Sequence, residues 1–472
     1  MLLARLAALF AVATLVKVLL LAADLYRSTD FEVHRNWLAI TYSLPPKRWY
    51  FNEGSEWTLD YPPFFAWLER LLSLLAVRVD SAMVELESFN YASRAAVIFQ
   101  KGTVIVLDTA LPLGVASCFW ASFEHRDVRS GGRGAMAGDG TPAATAAAAL
   151  VLLDGGLLLV DHVHFQYNGF LLGLLLLSLG LARQQGREVA AAAVFATLLL
   201  FKHLFLSLAP LYFVYILRRY CWHDDNSGWG LRPVRLTMQG AVVAVTLALA
   251  LGPLCVPAID GAAADTGTPA GRGDVAAAMP DCADQLRQLA VQLFPFGRGL
   301  THAYWAPNFW ALYLTADRVL LVAAKRLGLA GMAPAGSAST TGGLVHAAGT
   351  AVLPSVTPAV AAVLVLAAGA PALNAAWRRR TPQVFLWGVV YCSLCAFMLG
   401  WHVHEKAILV STVPLALLAP EGPAEARLYL RLCAAGYFAL LPLFPRAQET
   451  PTKTFVYLSH LCLAWELLRP VL

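Results

Sequence analysis

The sequence predicts an all-α, polytopic membrane protein, and three observations support that fold class. Hydrophobic residues occupy 58% of the 472 positions and charged residues only 14%, and the mean hydropathy is +0.60. This composition lies outside the range of soluble domains. Apolar runs recur along the whole chain, many close to the roughly 20 residues that a helix needs to cross a bilayer. We therefore expect about 12 to 14 transmembrane helices in a single integral-membrane domain, 1–472.

The order of the spans follows from changing sides at each apolar run. With Arg5 on the cytoplasmic side, the later clusters of Lys and Arg also fall on that side, as the positive-inside rule requires. We interpret the first segment as a retained span, because its apolar run is too long for a signal peptide. The predicted spans are 2–24, 97–121, 142–160, 168–183, 188–201, 204–217, 236–256, 304–324, 343–355, 357–373, 384–400, 407–419, 428–445 and 455–470. The two pieces around Pro354 are either separate spans or one broken helix.

Two loops carry little chemical information. The segment 130–145 is rich in Gly and Ala, and we expect a disordered cytoplasmic loop; 262–278 is a similar low-complexity insertion on the opposite face. Cys255 and Cys282 flank that insertion and are able to pair if it is luminal. The net charge of +5 reflects the cytoplasmic anchors of the spans, so we expect no nucleic-acid partner.

Acids, histidines and aromatic residues are concentrated on the non-cytoplasmic face. They stand in short motifs at the ends of several spans, which indicates one shared site. The candidate residues are Asp30, Glu32, His34, Arg35, Trp37, Asp60, Tyr61, His162, His164, Gln166, Asn168, Lys202, His203, Arg298, Trp305, His404, Glu405 and Lys406. Aromatic rings stack on sugar C–H faces and carboxylates accept hydrogen bonds from hydroxyls, so this composition suits a carbohydrate.

Each motif also has a purely structural explanation. Asp30 follows a span and is a candidate N-cap for a helix over 32–38, and Asp60 precedes Tyr-Pro-Pro, where an aspartate often closes a turn. Tryptophans at a membrane boundary commonly belong to the interfacial belt. The H-x-H pairs at 162–164 and 402–404 place both imidazoles on one side only if the segment is extended. Because the spacing supplies no third ligand for zinc, we expect no metal.

Several of these motifs resemble a known family. The segments 29–37 (TDFEVHRNW), 59–67 (LDYPPFFAW), 161–170 (DHVHFQYNGF), 293–296 (LFPF), 298–313 and 400–409 are similar to the endoplasmic-reticulum α-1,3-glucosyltransferases that use dolichyl-phosphate glucose. The resemblance covers most of the chain in order. It implies a multi-pass GT-C type fold in the endoplasmic-reticulum membrane, with luminal loops forming the active site. It also implies two partners besides the lipid bilayer, a dolichyl-phosphate glucose donor and a dolichyl-diphosphate-linked oligosaccharide acceptor.

The family has two close branches, which add the first and the second α-1,3-linked glucose. The forms YPPFFAW (61–67), AYWAPNFW (303–310) and GWHVHEK (400–406) look like the second branch. The acceptor implied is therefore Glc1Man9GlcNAc2 on dolichyl diphosphate, and the alternative is the first-glucose enzyme, which acts on Man9GlcNAc2. Two other classes stay open: a polytopic transporter, disfavoured because the polar groups lie at one face and the halves do not match, and a structural subunit.

The resemblance also implies roles. An inverting transfer needs one base to take the proton from the acceptor hydroxyl, and Asp30 is the candidate. Cations would stabilise charge on the leaving phosphate; these are Arg298, His404 and Lys406, with Lys202 and His203 behind them. Four residues are expected to contact the acceptor or to support the Asp30 loop: Glu32, His34, Arg35 and Asp60. Three others are expected to join the loops to one another: His164, Gln166 and Asn168. No cofactor is required.

Overall fold

The computed structural model describes residues 2–23, 27–130, 141–225, 228–256, 280–294, 296–302, 306–328 and 350–472. Helices dominate these residues. They are α1 (Leu2–Ala23), α2 (Thr29–Ser43), α3 (Pro63–Val79), α4 (Arg94–Leu107), α5 (Ala110–Ser130), α6 (Thr141–Leu152), α7 (Asn168–Arg183), α8 (Glu188–Phe201), α9 (Ala209–Ile216), α10 (Pro233–Cys255), α11 (Cys282–Leu293), α12 (Phe309–Arg326), α13 (Pro358–Arg379), α14 (Pro382–Leu399), α15 (Leu409–Ala416), α16 (Pro423–Phe438) and α17 (Thr450–Leu468). One antiparallel hairpin, β1 (Trp222–Asp225) with β2 (Gly228–Leu231), precedes α10.

The prediction of an all-α membrane protein is confirmed. In the described part of the chain, eight helical segments are long and apolar enough to cross a membrane: Leu3–Ala23, Arg94–Trp120, Pro142–Phe165, His203–Cys221, Pro233–Cys255, Pro358–Arg379, Pro382–Leu399 and Pro423–Leu443. Helices α7 and α8 are apolar but shorter. The predicted count of 12 to 14 spans is therefore not confirmed, since short and broken helices contribute several of the predicted apolar runs.

The predicted span 343–355 is wrong where it is described. Residues 350–357 are non-helical. Pro354 has no N–H to continue a helix, and Thr357 begins α13 by accepting a hydrogen bond from the Val360 N–H at its side-chain oxygen. The loop predicted over 130–145 overlaps two helices, because α5 ends at Ser130 and α6 begins at Thr141. Its centre, 131–140, and the whole insertion 262–278 lie outside the described residues.

Helices α5 and α7 approach each other closely along a line of small residues. A Cβ added at Gly114 would stand 2.5 Å from the carbonyl oxygen of Gly173, and one at Gly173 would stand 2.4 Å from the carbonyl carbon of Ala110. At Gly180 the nearest atom would be Oγ of Ser117, at 2.4 Å. Small residues of this kind let helix backbones meet inside a membrane, where packing rather than water release holds helices together.

An ionic cluster lies inside the bundle. Lys17 Nζ on α1 is 2.6 Å from Asp108 Oδ2, and His162 Nε2 is 2.8 Å from the same oxygen. All three side chains are nearly inaccessible to solvent. A charge in the apolar interior is stable only when paired, so this cluster fixes α1 against the segment that contains His162.

One end of the bundle is covered by α2, α3 and α11. Helix α2 packs against α3, and an aromatic cluster that includes Phe31, Trp37 and Phe65 fills the space beneath them. Cys255 at the end of α10 and Cys282 at the start of α11 form a disulfide, which confirms the pairing that their positions allow. These three helices are not among the eight candidate spans, and they form the end of the bundle at which the first turn of α2 lies.

Candidate active site

Asp30 lies in the first turn of α2 and is the centre of the site. Its Oδ2 atom accepts hydrogen bonds from Gln166 Nε2 at 2.6 Å and from Lys406 Nζ at 2.7 Å. His164 Nε2 lies 3.2 Å from the same oxygen and 3.2 Å from Lys406 Nζ. Three motifs that are far apart in the sequence therefore meet at one carboxylate oxygen.

The second oxygen of Asp30, Oδ1, lacks the contacts that Oδ2 makes. Of the residues that the structure describes, none donates a hydrogen bond to Oδ1, and the side chain is 23% exposed. The N-cap of α2 is Ser28, not Asp30, so the capping explanation of Asp30 is wrong. Burial by itself would raise the pKa of Asp30, but Lys406 and His164 outweigh it and hold the pKa well below its usual value. The group is an ionised carboxylate whose Oδ1 atom receives no hydrogen bond from the described residues.

A hydrogen-bonded chain continues from Asp30 into the bundle. Gln166 accepts from Asn168 Nδ2 at 2.8 Å, and Asn168 also donates to Asp161 Oδ1 at 2.8 Å. Lys202 Nζ donates to Asn168 Oδ1 at 3.2 Å. Because the Gln166 amide accepts at its oxygen and donates from its nitrogen, its orientation is fixed. Through these contacts Gln166 and Asn168 connect Asp30 with Asp161 and Lys202.

The segment Leu158–Phe165 is a π-helix, a conformation common at functional sites. It sends its two histidines in different directions. His162 pairs with Asp108 inside the bundle, whereas His164 reaches Asp30 and Lys406. Ser28 donates its hydroxyl hydrogen to the His164 carbonyl oxygen. His162 therefore contributes to packing at a distance, and only His164 lies at the carboxylate.

The segment that follows α14 supplies Lys406 together with His402, His404 and Glu405. Lys406 lies in a short 3-10 helix, Glu405–Ile408. His404 lies beside the positive side chain of Lys406; desolvation first, then His302, Lys406 and His402, keep the pKa of His404 well below its usual value. A neutral imidazole offers hydrogen bonds but no charge to a phosphate, so the expected cationic role of His404 lacks electrostatic support.

Lys202 is connected to Asp30 through Asn168 and Gln166. Its Nζ lies 5.1 Å from the ring centre of Tyr61, a cation–π contact. Burial, followed by repulsion from Lys406, lowers the pKa of Lys202 to about 8. Asp60 lies in the same neighbourhood, since it adds a negative field at Tyr61 and Lys202. His203 packs its ring against Phe294 at 5.5 Å.

Four further candidates build the support of α2 and do not touch Asp30. Glu32 and Arg35 form an ion pair at 2.7 Å. His34 Nδ1 lies 2.6 Å from Glu69 Oε1. Trp37 donates from Nε1 to the Thr58 carbonyl at 3.2 Å and is 1% exposed, so it is neither an interfacial residue nor a sugar platform.

Two candidates cannot be placed with the rest. Trp305 lies outside the described residues, and of Arg298 the structure describes the backbone, in the 3-10 turn Phe296–Arg298. Two residues were missed by sequence reasoning. Glu69 gives no signal, because it lies within an apolar helix as the partner of His34; His302 stands in the resembling run 298–313, but nothing in its spacing joins it to His402 and His404.

This arrangement has a definite chemical capacity. A partly exposed, ionised carboxylate can accept a proton from a hydroxyl, and Lys406 and Lys202 can bind an anion beside it. The buried aromatic residues and the glutamine–asparagine chain hold these groups in place. Proton transfer and stabilisation of a leaving anion can therefore occur at one location.

Known proteins are similar in sequence to this chain over almost its full length. The model of the ALG6, ALG8 glycosyltransferase family matches residues 13–471. A protein of Arabidopsis thaliana named dolichyl pyrophosphate Glc1Man9GlcNAc2 alpha-1,3-glucosyltransferase is 43% identical over 458 residues, which cover 97% of this chain and 80% of that protein. Proteins of the same name from Mus musculus and Schizosaccharomyces pombe are 42% and 40% identical over 454 and 442 residues. Those alignments cover 94% and 93% of this chain and 79% of each relative.

Proposed function

This chain belongs to the ALG6, ALG8 glycosyltransferase family, and we propose that Asp30 is the base with which it transfers glucose from dolichyl-phosphate glucose. It is an α-1,3-glucosyltransferase of the second-glucose step, acting on Glc1Man9GlcNAc2 linked to dolichyl diphosphate, in agreement with the names of relatives 40–43% identical over most of its length. The observation that carries the catalytic proposal is the ionised Asp30 carboxylate, whose Oδ2 atom is hydrogen-bonded to Gln166 and Lys406 and whose Oδ1 atom receives no hydrogen bond from the described residues.

The reaction is an inverting displacement. The 3-hydroxyl oxygen of the terminal acceptor glucose attacks C1 of the β-linked donor, the bond from C1 to the phosphate oxygen breaks, and an α-1,3 linkage forms. The hydroxyl proton passes to Asp30, and dolichyl phosphate leaves with the electron pair. Such a base contributes a factor of about 10² to 10⁴. A phosphate leaving group is a weak base, so no residue has to protonate it.

Lys406 has two tasks in this mechanism. In the absence of substrate it pairs with Asp30 at 2.7 Å, which makes the carboxylate a weak base. The donor phosphate then attracts the ammonium group away from Asp30 Oδ2. Removal of that charge raises the proton affinity of Asp30 when the base is needed. Binding of the donor thus activates the base, and the same lysine stabilises the leaving phosphate.

Lys202 is the second cation of the proposed donor site. It lies beside Tyr61 and is joined to the Asp30 network through Asn168. Arg298 and His203 complete the proposed phosphate-binding set, with His404 as a neutral hydrogen-bond donor. No metal ion is required for this step, because the phosphate of the donor is a single group that ammonium and guanidinium groups bind directly.

The site faces the lumen of the endoplasmic reticulum in this proposal, and the bundle is of the GT-C type. The disulfide between Cys255 and Cys282 supports that side, since such bonds persist in the oxidising lumen and are rare in the cytosol. Both cysteines lie at the same end of the bundle as Gln285 and Gln288 of α11, which donate to the carbonyls of Lys47 and Tyr50. The loop after α2 is therefore on the side of the disulfide.

The test is glucose transfer by the purified chain from synthetic dolichyl-phosphate glucose. Acceptors with no terminal glucose and with one are offered in parallel to wild type, Asp30→Asn and the control Asp284→Asn, an exposed acid of α11. We expect transfer to the monoglucosylated acceptor alone, lost in Asp30→Asn and kept in Asp284→Asn. Transfer to the unglucosylated acceptor would assign the first-glucose step, and an active Asp30→Asn would mean that another group is the base.

A further inference from the structure

Three histidine side chains meet beside Lys406. Ring nitrogens of His302, His402 and His404, one from each, all lie within 4.8 Å of one another. The ring centres of His302 and His404 are 3.7 Å apart. His302 and His402 have no part in the proposed transfer, so their convergence with His404 requires a separate explanation.

The backbone brings these histidines together by pairing two loops. Thr301 and Val403 form a parallel bridge, and the His402 N–H donates to the Leu300 carbonyl at 2.9 Å. Val403 lies in this bridge and His404 is extended, and the ring centres of His402 and His404 are 5.9 Å apart. His402 has φ of +53°, a left-handed conformation that costs energy in a residue with a side chain and that clusters at functional sites.

His402 has a fixed tautomer. Its Nδ1 lies 3.1 Å from the carbonyl oxygen of Gly299, and because a carbonyl only accepts, Nδ1 carries the hydrogen. The lone pair of this ring is therefore on Nε2. A histidine that donates from one nitrogen to a backbone carbonyl and presents the other is the usual arrangement of a metal ligand.

A buried carboxylate lies against the cluster. Glu405 is 2% exposed, and its Oε2 is 4.0 Å from His302 Nδ1. No other residue in the described part of the chain donates a hydrogen bond to either of its oxygens. A buried carboxylate without such partners is costly. Positive charge compensates such a group: Lys406 supplies part of it, and an ion bound at Nε2 of His302 would add more from the far side of the ring.

We propose that His302, His402 and His404 bind a divalent transition-metal ion of the zinc class, with Glu405 orienting His302. Three imidazoles with a water or substrate oxygen in the fourth position form a common zinc site. Tetrahedral binding would draw the three nitrogens, now within 4.8 Å of one another, to about 3.4 Å apart. The ion fastens the loop 299–302 to the loop 401–404, two residues before Lys406. It is a clip that positions Lys406, and its presence does not depend on the transfer reaction.

Metal content and cobalt spectroscopy test the site without reference to activity. The full chain, purified in detergent, is equilibrated with Zn²⁺, dialysed and analysed for metal, in wild type, His302→Gln, His402→Gln and the control His223→Gln from the hairpin. We expect one zinc per chain in wild type and in the control, and loss in both cluster variants. Equal retention in the cluster variants, or no stoichiometric zinc in wild type, would overturn the proposal.

Two further measurements on wild type keep the test valid if the variants fold poorly. Co²⁺ bound to the unaltered chain should give the intense visible absorption of a tetrahedral site, and a weak octahedral spectrum would count against it. A chelator should lower the melting temperature of wild type, because removal of the ion separates the two loops. An unchanged melting temperature after complete removal of the metal would contradict the clip.

Discussion

Lys406 Nζ lies 2.7 Å from Asp30 Oδ2, although 376 positions separate the two residues. The contact joins the first turn of α2 to the segment between α14 and α15, and it pairs the proposed base with the proposed phosphate-binding cation. Asp30 cannot be at its most basic while Lys406 is in place. This relationship leads to predictions on donor binding and on pH.

Replacement of Lys406 by Gln should weaken donor use and change the pH profile. Loss of a charged hydrogen bond to phosphate, worth about 1.5 to 3 kcal/mol, should lower kcat/KM for the donor roughly 10- to 100-fold. Because Lys406 lowers the pKa of Asp30, its removal raises that pKa, and activity is lost at a higher pH on the acidic side. Steady-state kinetics across pH check both effects. Lys406→Arg, which keeps the charge, should retain the wild-type acid limb; an unshifted limb in Lys406→Gln would refute the pairing.

The loss of activity at alkaline pH, the alkaline limb of the pH–activity profile, should depend on Lys202. Its pKa is lowered to about 8, so the ammonium group is charged below that pH and becomes neutral above it. If the charge holds the donor phosphate, the KM for the donor should rise about tenfold for each unit above pH 8. Lys202→Arg stays charged throughout and should remove this limb, whatever its activity at neutral pH. Persistence of the same limb in Lys202→Arg would assign it to another group.

Gln166 should act by orienting Asp30 and should leave donor binding almost unchanged. Its amide links Asp30 Oδ2 to Asn168 at 2.6 and 2.8 Å, so Gln166→Leu removes both contacts. We expect kcat to fall roughly tenfold or more, the loss of about one well-placed hydrogen bond to a charged group, with donor KM within about twofold. A matched control is Gln288→Leu, which removes a contact to the Tyr50 carbonyl instead. A rise in donor KM with unchanged kcat would place Gln166 in the donor site.

Much of the bundle follows from hydropathy. Predicted spans 168–183 and 188–201 coincide with α7 (Asn168–Arg183) and α8 (Glu188–Phe201), because a short polar link separates two strongly apolar runs. Helix α3 was not predicted as a span, because Glu69, Arg70 and Arg78 interrupt its apolar residues. It buries one face against α2. Amphipathic helices at the membrane surface are therefore what hydropathy alone omits.

The site was predictable as a set of motifs and not as a geometry. Asp30, His164 and Lys406 stand in motifs whose chemistry is visible in the sequence, and they do meet. What the sequence cannot supply is burial and pairing across hundreds of positions. In the sequence, Glu32 and Arg35 are candidates for the site as much as Asp30 is. In the structure they form an ion pair with each other within α2. For the same reason the third histidine of the His302 cluster escapes a search by local spacing.

His34 should be required for stability and not for chemistry. It is 4% exposed and pairs with Glu69, which is 1% exposed; burial raises the pKa of Glu69, and His34 opposes that rise. His34→Ala leaves a buried carboxylate without its partner, at a cost of roughly 3 to 5 kcal/mol. We expect lower folded yield and melting temperature, with near-normal turnover per folded molecule. The double variant His34→Ala/Glu69→Gln should recover part of the stability. Normal folding with lost turnover would instead make His34 an acceptor contact.

The disulfide between Cys255 and Cys282 should stabilise the covering helices over the site. The two cysteines are 27 positions apart, and closure of a loop of that length contributes about 3.5 kcal/mol in the chain-entropy model. Cys255→Ser/Cys282→Ser should therefore lower the melting temperature, and reduction should do the same to wild type while leaving the double variant unaffected. Cys462 is exposed and forms no disulfide, so it provides the control Cys462→Ser, which should behave as wild type.

Non-reducing peptide mapping of protein taken from cells checks the pairing of Cys255 with Cys282 directly. Complete absence of the cross-link in that material would remove the chemical support for a luminal site, because a thiol pair held at the end of α10 and the start of α11 would oxidise in that compartment.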